Sequence, residues 1–596
     1  MTETTPIEFC NSVSVAGREW TVRGLADATP PEGVHELAAR IAAARGFDVE
    51  RYFNPMLKVE MPDPSRFVGM DECVRQFCDA VEKGRRIALY GDYDVDGATS
   101  TALVLRWIRA VGGDAVYYIP ARLKEGYGPN SAAIRKLHAD EGVEFIVFLD
   151  SGTVSHEPLA TAVEIGVDCI VIDHHEPDGK AIPFPLVNPK QDGEDRKFDY
   201  LCTAGLAFLF LVAVQREMQE RGFFSETRHK VDLMQWLGIV ALGTVADVVP
   251  LVGLNRAYVA KGLAMMPAIP GLRALNTVNG DVGYTEETCG WKFGPNINAA
   301  GRIGDTRTGT HLLSTDDQVE ADDIARLLFE TNEERKAIER AAVDEAMEGL
   351  SLRENDPVAV VAGDDWHPGV VGLVAGRIKE RLQRPAVAIG FNGAGSCRTV
   401  PGFNIGKAIH AAFAAGLLVK GGGHEMAAGL TLPTIEVLAD DGETRIRKID
   451  LEKLEELRTF LCERAKDFRQ PAVELDVALK CGELSPSMVE AFEKMAPFDQ
   501  KDNQKPLVVI HGGWVKRVQI KSGRHVFVHL AGEFGETEAV LWGGIGTPLG
   551  DALAASDDML VDLYGTAEIN AYGGKRRGRI RIVDAMISRA SAQDAA

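Results

Sequence analysis

CIVIDHH, residues 169–175, decides the fold: an apolar run ends in one aspartate and two histidines. The run is typical of a buried strand, whereas Asp173, His174 and His175 are costly to bury without partners. Two interpretations are open at this point. Either the strand ends in solvent and its polar residues begin the next helix, or the three side chains form a functional site. The neighbouring segments decide between them.

Strand-like and helix-like segments alternate on the N-terminal side of this stretch. The apolar patterns predict strands at 85–94, 115–120 and 144–152, separated by helices at 101–113 and 158–166. Apolar strands that alternate with helices favour an α/β fold, in which a parallel sheet carries helices on both faces.

The chain has 596 residues, which is too long for one hydrophobic core. A charged helical pattern in its middle predicts a long connecting helix, and the period-two alternation after residue 469 predicts a small β-barrel of the OB type. Within the second domain, residues 436–447 are predicted to be a polar loop. We therefore predict five parts: an N-terminal helical lead-in at 1–60, a parallel-sheet domain at 61–325, a connecting helix at 326–350, a smaller α/β domain at 351–468 and the barrel at 469–596.

The overall charge and the cysteines limit the function classes. The net charge of −22 argues against a polyanionic partner unless metal ions or local basic patches offset it. The nine cysteines are scattered and form no CxxC pair, a pattern that favours free thiols in the cytoplasm. The sequence shows neither a secretion signal at its N-terminus nor an apolar run long enough to cross a bilayer, so we expect no membrane association.

Acidic residues and imidazoles follow four of the segments. Because ligands bind at the carboxyl ends of parallel strands, we expect these side chains to meet there. Such a cluster cannot stay ionised without cations, and a mixed Asp/His set suits Mn²⁺ or Mg²⁺. Two such ions promote the attack of water on a phosphoryl group. The side chains are Asp92, Asp94 and Asp96, then Asp150, then Asp173, His174 and His175, and finally Asp247.

These motifs together resemble the DHH phosphoesterase superfamily, and within it the RecJ family of single-strand-specific exonucleases. The resemblance rests on YGDYDVDGATS (90–100), RLKEGYGPN (122–130), FLDSG (148–152), VIDHH (171–175), LCTAGLAF (201–208), GTVADVVPL (243–251), GPNINAAGRIGD (294–305), GSCRTVPGFNI (395–405) and GGGHEMAAGL (421–430). It implies that the parallel-sheet domain is a DHH catalytic domain and that the smaller α/β domain is a DHHA1 domain. It further implies a metal-dependent 5′→3′ exonuclease that releases mononucleotides from single-stranded DNA in repair and recombination.

The resemblance also implies roles for the clustered residues. Two Mn²⁺ or Mg²⁺ ions are expected as cofactors, with Asp94, Asp96, Asp150, His174 and Asp247 as ligands. His175, Asp173 and Asp92 are assigned to catalysis. His175 either ligates an ion or stabilises the scissile phosphate or the leaving oxygen, and the two aspartates either ligate or orient their neighbours.

A second set of residues is expected to hold the strand. Arginine pairs two phosphate oxygens at once, and barrels of the OB type bind single strands through basic grooves and stacked aromatic rings. The expected phosphate-binding residues are Arg122, Arg302, Ser396, Arg398 and His424. In the barrel the expected DNA-binding residues are Trp514, Lys516, Arg517, Arg524, Tyr572, Lys575, Arg576 and Arg577.

The expected partner is single-stranded DNA, with a single-strand-binding protein and a helicase as further partners and a monomeric chain. Two alternatives stay open at this point. One is a phosphodiesterase of the same superfamily that cleaves short oligonucleotides or cyclic dinucleotides, and the other is an inactive scaffold that binds DNA.

Overall fold

A computed structural model describes residues 9–591, except 122–124, 127, 227, 351–352, 354, 439–443, 502 and 572–574. The chain forms two compact units. The parallel-sheet unit comprises residues 54–335 and 496–504, and the barrel unit comprises residues 9–53, 336–495 and 505–591.

The strands in chain order are β1 Trp20–Val22, β2 Ile87–Tyr90, β3 Ala115–Tyr118, β4 Phe145–Leu149, β5 Asp168–Ile172, β6 Leu186–Val187, β7 Ala359–Ala362, β8 Ala386–Ile389, β9 Ala394–Arg398, β10 Lys420–Gly423, β11 Ala427–Thr431, β12 Thr434–Leu438, β13 Arg445–Ile449, β14 Val473–Leu475, β15 Val477–Lys480, β16 Leu507–Lys521, β17 His525–Gly532, β18 Gly535–Leu541, β19 Met559–Asn570 and β20 Arg577–Ser591.

The α-helices in chain order are α1 Glu36–Ala44, α2 Val49–Phe53, α3 Leu57–Glu60, α4 Met70–Glu82, α5 Val95–Ala110, α6 Ser131–Glu141, α7 His156–Ile165, α8 Thr203–Glu220, α9 Leu237–Ala246, α10 Gly253–Gly262, α11 Pro270–Val278, α12 Glu286–Thr288, α13 Gly294–Ile303, α14 Thr308–Ser314, α15 Gln318–Leu350, α16 Val371–Leu382, α17 Ile405–Ala414, α18 Leu451–Ala465, α19 Pro486–Glu493 and α20 Pro548–Ala554.

The parallel-sheet unit is built on a five-stranded sheet in the order β3-β2-β4-β5-β6, with every neighbouring pair parallel. Both faces of its strands are buried. Leu89, Val147 and Ile172 belong to one core, which includes residues of α4, α5, α8 and α9. Ala88 and Val171 belong to a second core on the opposite face, together with residues of α6 and α7. The predicted α/β fold with helices on both faces is confirmed.

The barrel unit contains two larger sheets. Strands β7 to β11 form a mixed sheet in the order β10-β11-β9-β8-β7, in which only β7 and β8 run parallel. Strands β16 to β20 form a closed barrel, because β16 pairs with β17 on one side and with β19 on the other. The expected smaller α/β domain and OB-type barrel are both present. The predicted connecting helix corresponds to α15, which begins at Gln318, where the Asp317 carboxylate accepts the backbone N–H of Val319.

The structure corrects the prediction of a polar loop at 436–447. Strands β12 and β13 form a two-stranded antiparallel hairpin that covers the described ends of this segment. Ile435 and Ile446 are β-branched residues, which favour strands. The charged residues around them make the sequence of this segment resemble a polar loop. The lead-in also contains a strand, β1, which pairs in parallel with β14. Among the described residues, no helix is both long enough and apolar enough to span a membrane.

Candidate metal centre

Three strands of the parallel sheet deliver the clustered side chains. The loop after β2 carries Asp92 and Asp94, β4 leads directly into Asp150, and β5 leads directly into Asp173 and His174. Neighbouring parallel strands end at the same edge of a sheet, so these residues converge. Asp247 arrives differently, since it caps the C-terminal end of helix α9.

The ligand atoms form three overlapping groups. One comprises Asp92, Asp94 and Asp150, a second comprises Asp150, His174 and His175, and a third comprises Asp96, His174 and Asp247; within each group the candidate ligand atoms lie within 4.8 Å of one another. Asp150 and His174 each belong to two groups. The arrangement therefore offers adjacent sites that share a carboxylate, as a pair of divalent ions requires.

His174 lies at the centre of the cluster. Its Nε2 is 3.4 Å from Oδ1 of Asp150, 3.6 Å from Oδ2 of Asp247 and 3.8 Å from Oδ2 of Asp96. Burial lowers the pKa of His174, which favours the neutral imidazole that can ligate a metal ion. The imidazole is therefore placed, and held in the right protonation state, to share a cation with these three carboxylates.

Burial and mutual repulsion act on the aspartates. Burial, together with the charge of Asp96, raises the pKa of Asp94 and raises the pKa of Asp150 well above its usual value. The same two causes raise the pKa of Asp247. A cation between these carboxylates would remove the repulsion. The backbone of Asp150 adds strain, since its φ of 62° lies in the left-handed region, which aspartate tolerates better than most residues.

Asp173 and His175 form a pair beside this cluster. Oδ1 of Asp173 lies 2.7 Å from Nδ1 of His175, and Oδ2 of Asp173 accepts the backbone N–H of Thr153 at 3.0 Å. Burial, the largest single effect, would raise the pKa of Asp173, but the hydrogen bond and charge of His175 and the hydrogen bonds from Thr153 together outweigh burial and lower it. The hydrogen bond between Asp173 and His175 raises the pKa of His175 to about 9. The pairing with Asp173 thus favours the protonated form of His175, and 55% of its side chain is exposed.

Asp96 is fixed by the start of helix α8. Its two carboxylate oxygens accept the backbone N–H groups of Thr203 and Ala204 at 2.7 and 2.8 Å. The first N–H groups of a helix have no partner within the helix and attract a negative charge. Asp96 thus ties helix α8 to helix α5 beside the metal centre.

Comparison with known proteins places the chain in a family. Three family models match it: the DHH family N-terminal domain at residues 86–244, the DHHA1 domain at 355–467 and the RecJ OB domain at 475–584. The single-stranded-DNA-specific exonuclease RecJ of Bacillus subtilis is 31% identical over 93% of this chain and 68% of its own length. The enzyme of the same name from Dickeya dadantii is 35% identical over 69% of this chain and 74% of its own. The chain belongs to the RecJ family.

A solved structure of the family supports the same assignment. Crystalline RecJ from Thermus thermophilus, in complex with Mn²⁺, is 27% identical and superposes with a TM-score of 0.74, covering 94% of this chain and 77% of that one. A manganese-bound exonuclease RecJ is 31% identical with a TM-score of 0.56, covering 68% of this chain and 96% of that one.

The expected phosphate-binding residues of this RecJ-family chain lie in both units. Arg302 is half-buried in the last turn of α13 in the parallel-sheet unit, and Arg122 lies outside the described residues. In the barrel unit, Nη1 of Arg398 donates to Oγ of Ser396 at 3.1 Å. His424 is exposed near the same end of that sheet, and its backbone N–H donates to Ala427, which pairs with Arg398.

The basic residues among those expected to bind DNA through the barrel are either ion-paired or unpaired. Lys516 forms an ion pair with Glu536 at 2.5 Å, and Arg576 forms one with Glu490 at 2.7 Å. Trp514 is half-buried, and Tyr572 is not among the described residues. The remaining four have no side-chain ion pair or hydrogen bond with any part of the chain that the structure describes, and all are exposed: Arg517, Arg524, Lys575 and Arg577.

Sequence reasoning missed three polar residues that support the centre. Thr203 donates from its hydroxyl to Oδ1 of Asp150 at 3.0 Å. Nδ2 of Asn188 donates to the hydroxyl of Thr153 at 2.9 Å and to the backbone carbonyl of His175 at 2.8 Å. Asn188 directly follows β6, so the rule that identified the aspartates at strand ends also applies to it. Thr203 lies within the quoted segment LCTAGLAF (201–208), but nothing in that segment pointed to a contact between its hydroxyl and Asp150.

Proposed function

We propose that this chain is a metal-dependent exonuclease that hydrolyses single-stranded DNA from its 5′ end to mononucleotides, in DNA repair and recombination. The single observation that carries the proposal is the set of three overlapping Asp/His groups at one edge of the parallel sheet. The relatives named above are single-stranded-DNA-specific exonucleases, and all four acidic segments of the family motif are present in this chain.

The residues of the centre fit divalent cations. Oδ2 of Asp247 is buried and makes no hydrogen bond with any described residue, which is costly unless a cation pairs with it. Aspartate oxygens and imidazole nitrogens are ligands that suit Mn²⁺, and a harder oxygen-rich set suits Mg²⁺. We propose that Asp94, Asp96, Asp150, His174 and Asp247 hold two ions, with Asp92 beside them. When bound, the ions lower the pKa of water and neutralise charge on the phosphate.

The Asp173–His175 pair has a separate role in this proposal. Because Asp173 occupies Nδ1 of His175, Nε2 is the nitrogen left for the substrate. The hydrogen bond with Asp173 raises the pKa of His175, which favours a proton on that nitrogen. His175 can then donate to a phosphate oxygen or to the leaving oxygen. Asn188 holds the backbone of His175 in place through its carbonyl.

Two features favour a DNA strand over a short substrate. The barrel is of the OB type, which binds single strands, and it carries four exposed cations that have no ion pair with any described residue: Arg517, Arg524, Lys575 and Arg577. Ser396, Arg398, His424 and Arg302 are proposed as further phosphate contacts. A phosphodiesterase for dinucleotides has no need of the barrel, and an inactive scaffold has no need of the acidic centre.

The test is a comparison of substrates and variants. Wild-type protein with Mn²⁺ should release labelled mononucleotides from a 5′-labelled single strand, and it should spare the same sequence in a blunt duplex. Asp94→Ala and His174→Ala should abolish release while they retain most of the binding to the strand, measured in chelator. Hydrolysis confined to dinucleotides would favour the shorter-substrate alternative, and binding without turnover by the wild type would favour the scaffold.

We further propose that a helicase and a single-strand-binding protein act with this chain, because a single-strand-specific enzyme depends on unwound DNA, and that the chain works as a monomer. A cytoplasmic location is proposed from the cysteines, since all nine are free thiols in the structure. Pull-down from cell extract and a sedimentation measurement would test these proposals.

A further inference from the structure

The barrel unit contains a cavity that none of the predicted residues line. Its volume is about 320 Å³, and four segments form its walls: the N-terminal segment around Ala16, the end of α16, the stretch 541–549, and Val583 with Asp584 in β20. A cavity of this size accommodates a compact ligand rather than a protein segment. The chemistry of its walls indicates which ligand.

Trp542 supplies an aromatic surface to this cavity. Trp542 is 42% exposed, so part of its indole is accessible to a ligand in the cavity. The rings of His525 and Phe527 contact it edge-on at centroid distances of 5.0 and 5.7 Å, and the guanidinium of Arg579 lies 5.4 Å from its centroid. These contacts fix the indole in one orientation. Leu541 and Val583 add apolar surface beside it.

Arg381 supplies a positive charge to the same cavity. It is exposed at the C-terminal end of α16, and it has no ion-pair or hydrogen-bond partner among the residues that the structure describes. A methyl group at Gly546 would lie 3.9 Å from its Nη2, so the guanidinium reaches the loop next to Trp542. An arginine held near an exposed indole is suited to a phosphate that is attached to an aromatic group.

The acidic groups of the cavity are already occupied. Glu380 forms an ion pair with Arg377 at 3.1 Å. Asp584 is buried, and its oxygens accept hydrogen bonds from the hydroxyl of Ser14 at 2.6 Å and from the backbone N–H of Ala16 at 3.2 Å. Asp584 also lies 3.9 Å from Nη2 of Arg18, a second cation in the wall of the cavity. Arg381 has no carboxylate partner among the described residues, so it is the cation of these walls that is available to an anion.

The loop that carries Trp542 is fixed in advance. The backbone N–H of Gly543 donates to Nδ1 of His525 at 2.9 Å, and the hydroxyl of Thr547 donates to the carbonyl of Gly544 at 2.6 Å. A methyl group at Gly550 would lie only 1.8 Å from that carbonyl oxygen, so glycine is required there. A fixed loop loses little conformational freedom when a ligand binds.

From this arrangement we infer that the cavity binds one nucleotide, with its base stacked on Trp542 and its phosphate at Arg381. The inference rests on the proposed function, since it names the barrel residues that hold the substrate or its product. The nucleotide has two possible sources with the same chemistry: a unit of the bound single strand, or a free mononucleotide. The purely sequence-based choice of Trp514 as the stacking residue did not identify this site.

The test measures binding in chelator, where no hydrolysis occurs. With a fluorescein-labelled thymidine 30-mer, Trp542→Ala should raise the Kd roughly 5- to 150-fold, which corresponds to about 1–3 kcal/mol for one stacked base. Trp542→Phe should retain most of the affinity. Trp291→Ala, which removes a tryptophan that is 60% exposed in the parallel-sheet unit, is the matched control and should have no effect.

Arg381→Gln provides an independent variant, because the side chain is exposed and its loss leaves no buried group unpaired. It should weaken binding and reduce the salt dependence, whereas Lys379→Gln, in the same turn but outside the cavity, should not. If both variants bind the 30-mer like the wild type, and Arg381→Gln, which keeps Trp542, weakens the quenching of tryptophan fluorescence by thymidine monophosphate, the cavity takes free mononucleotide. Wild-type affinity of Trp542→Ala and Arg381→Gln for both ligands would overturn the inference. A wild-type protein that neither binds nor hydrolyses the strand would instead refute the proposed function.

Discussion

Thr203 donates a hydrogen bond of 3.0 Å from its hydroxyl to Oδ1 of Asp150, the oxygen that also lies 3.4 Å from Nε2 of His174. The first residue of helix α8 therefore orients the carboxylate that two of the three ligand groups share. Helix α8 is anchored in turn, because its backbone N–H groups bind Asp96.

We expect Thr203→Val to weaken the binding of Mn²⁺ by roughly 10- to 100-fold, which is the usual cost of losing a group that orients a metal ligand. Valine has the same shape but cannot donate to Asp150, and the backbone N–H to Asp96 is retained. The measurement is the Mn²⁺ concentration that gives half-maximal hydrolysis of a single strand. Thr203→Ser keeps the hydroxyl and should behave like the wild type; an unchanged Mn²⁺ requirement in Thr203→Val would show that the hydrogen bond is dispensable.

Asp150→Asn should stabilise the metal-free protein while it abolishes hydrolysis. Burial and the nearby carboxylates raise the pKa of Asp150, which means that an ionised Asp150 destabilises the metal-free folded state. Asparagine is neutral, has the same shape and tolerates the left-handed backbone at this position. In chelator we expect a gain on the order of 1 kcal/mol in the free energy of unfolding, or roughly 1–2 °C in Tm for a unit of this size.

Addition of Mn²⁺ should make the wild type more stable than Asp150→Asn. The wild type gains stability because the ions bind only the folded state, whereas Asp150→Asn has lost a shared ligand and gains little. Differential scanning calorimetry with and without Mn²⁺ measures both effects. A metal-free variant less stable than the wild type would argue that Asp150 is paired within the protein rather than reserved for a cation.

Gly97→Ala should inactivate the chain through the position of a loop. A Cβ at Gly97 would lie 2.4 to 2.7 Å from backbone atoms of Asp92, so the loop that carries Asp92 and Asp94 must move. We expect hydrolysis to fall by at least 100-fold, since displacements of about 1 Å have this effect on aligned groups. Gly376→Ala is the matched control: it lies in helix α16 with nothing within 4 Å of the new atom and should stabilise the chain slightly. Equal activity in the two variants would contradict the argument.

The sequence predicted the metal centre because its candidate ligands directly follow segments that the apolar pattern identifies as strands. Asp150 and Asp173 directly follow apolar strands, so strand order and polarity were enough to bring them together. Asn188 follows a strand of only two residues, too short to produce a recognisable pattern. Trp542 was missed for a different reason: alternation predicts the strand β18, but it does not reveal that an α-helix and the N-terminal segment form a cavity around the residue after it.

The basic residues of the barrel should differ in their contribution to DNA binding according to whether they are already paired. Arg524 and Lys575 are exposed and have no side-chain partner among the described residues, whereas Lys516 and Arg576 form ion pairs with Glu536 and Glu490. Each cation that contacts a phosphate of a single strand contributes about 0.7 to the slope of log K against log salt. We therefore expect Arg524→Gln and Lys575→Gln each to reduce the slope by about that amount, and Lys516→Gln and Arg576→Gln to change it less, because a paired cation must first give up its glutamate. Titration of a fluorescent 30-mer at four salt concentrations in chelator measures the slopes, and equal slopes for the paired and unpaired variants would show that the ion pairs do not govern access to the strand.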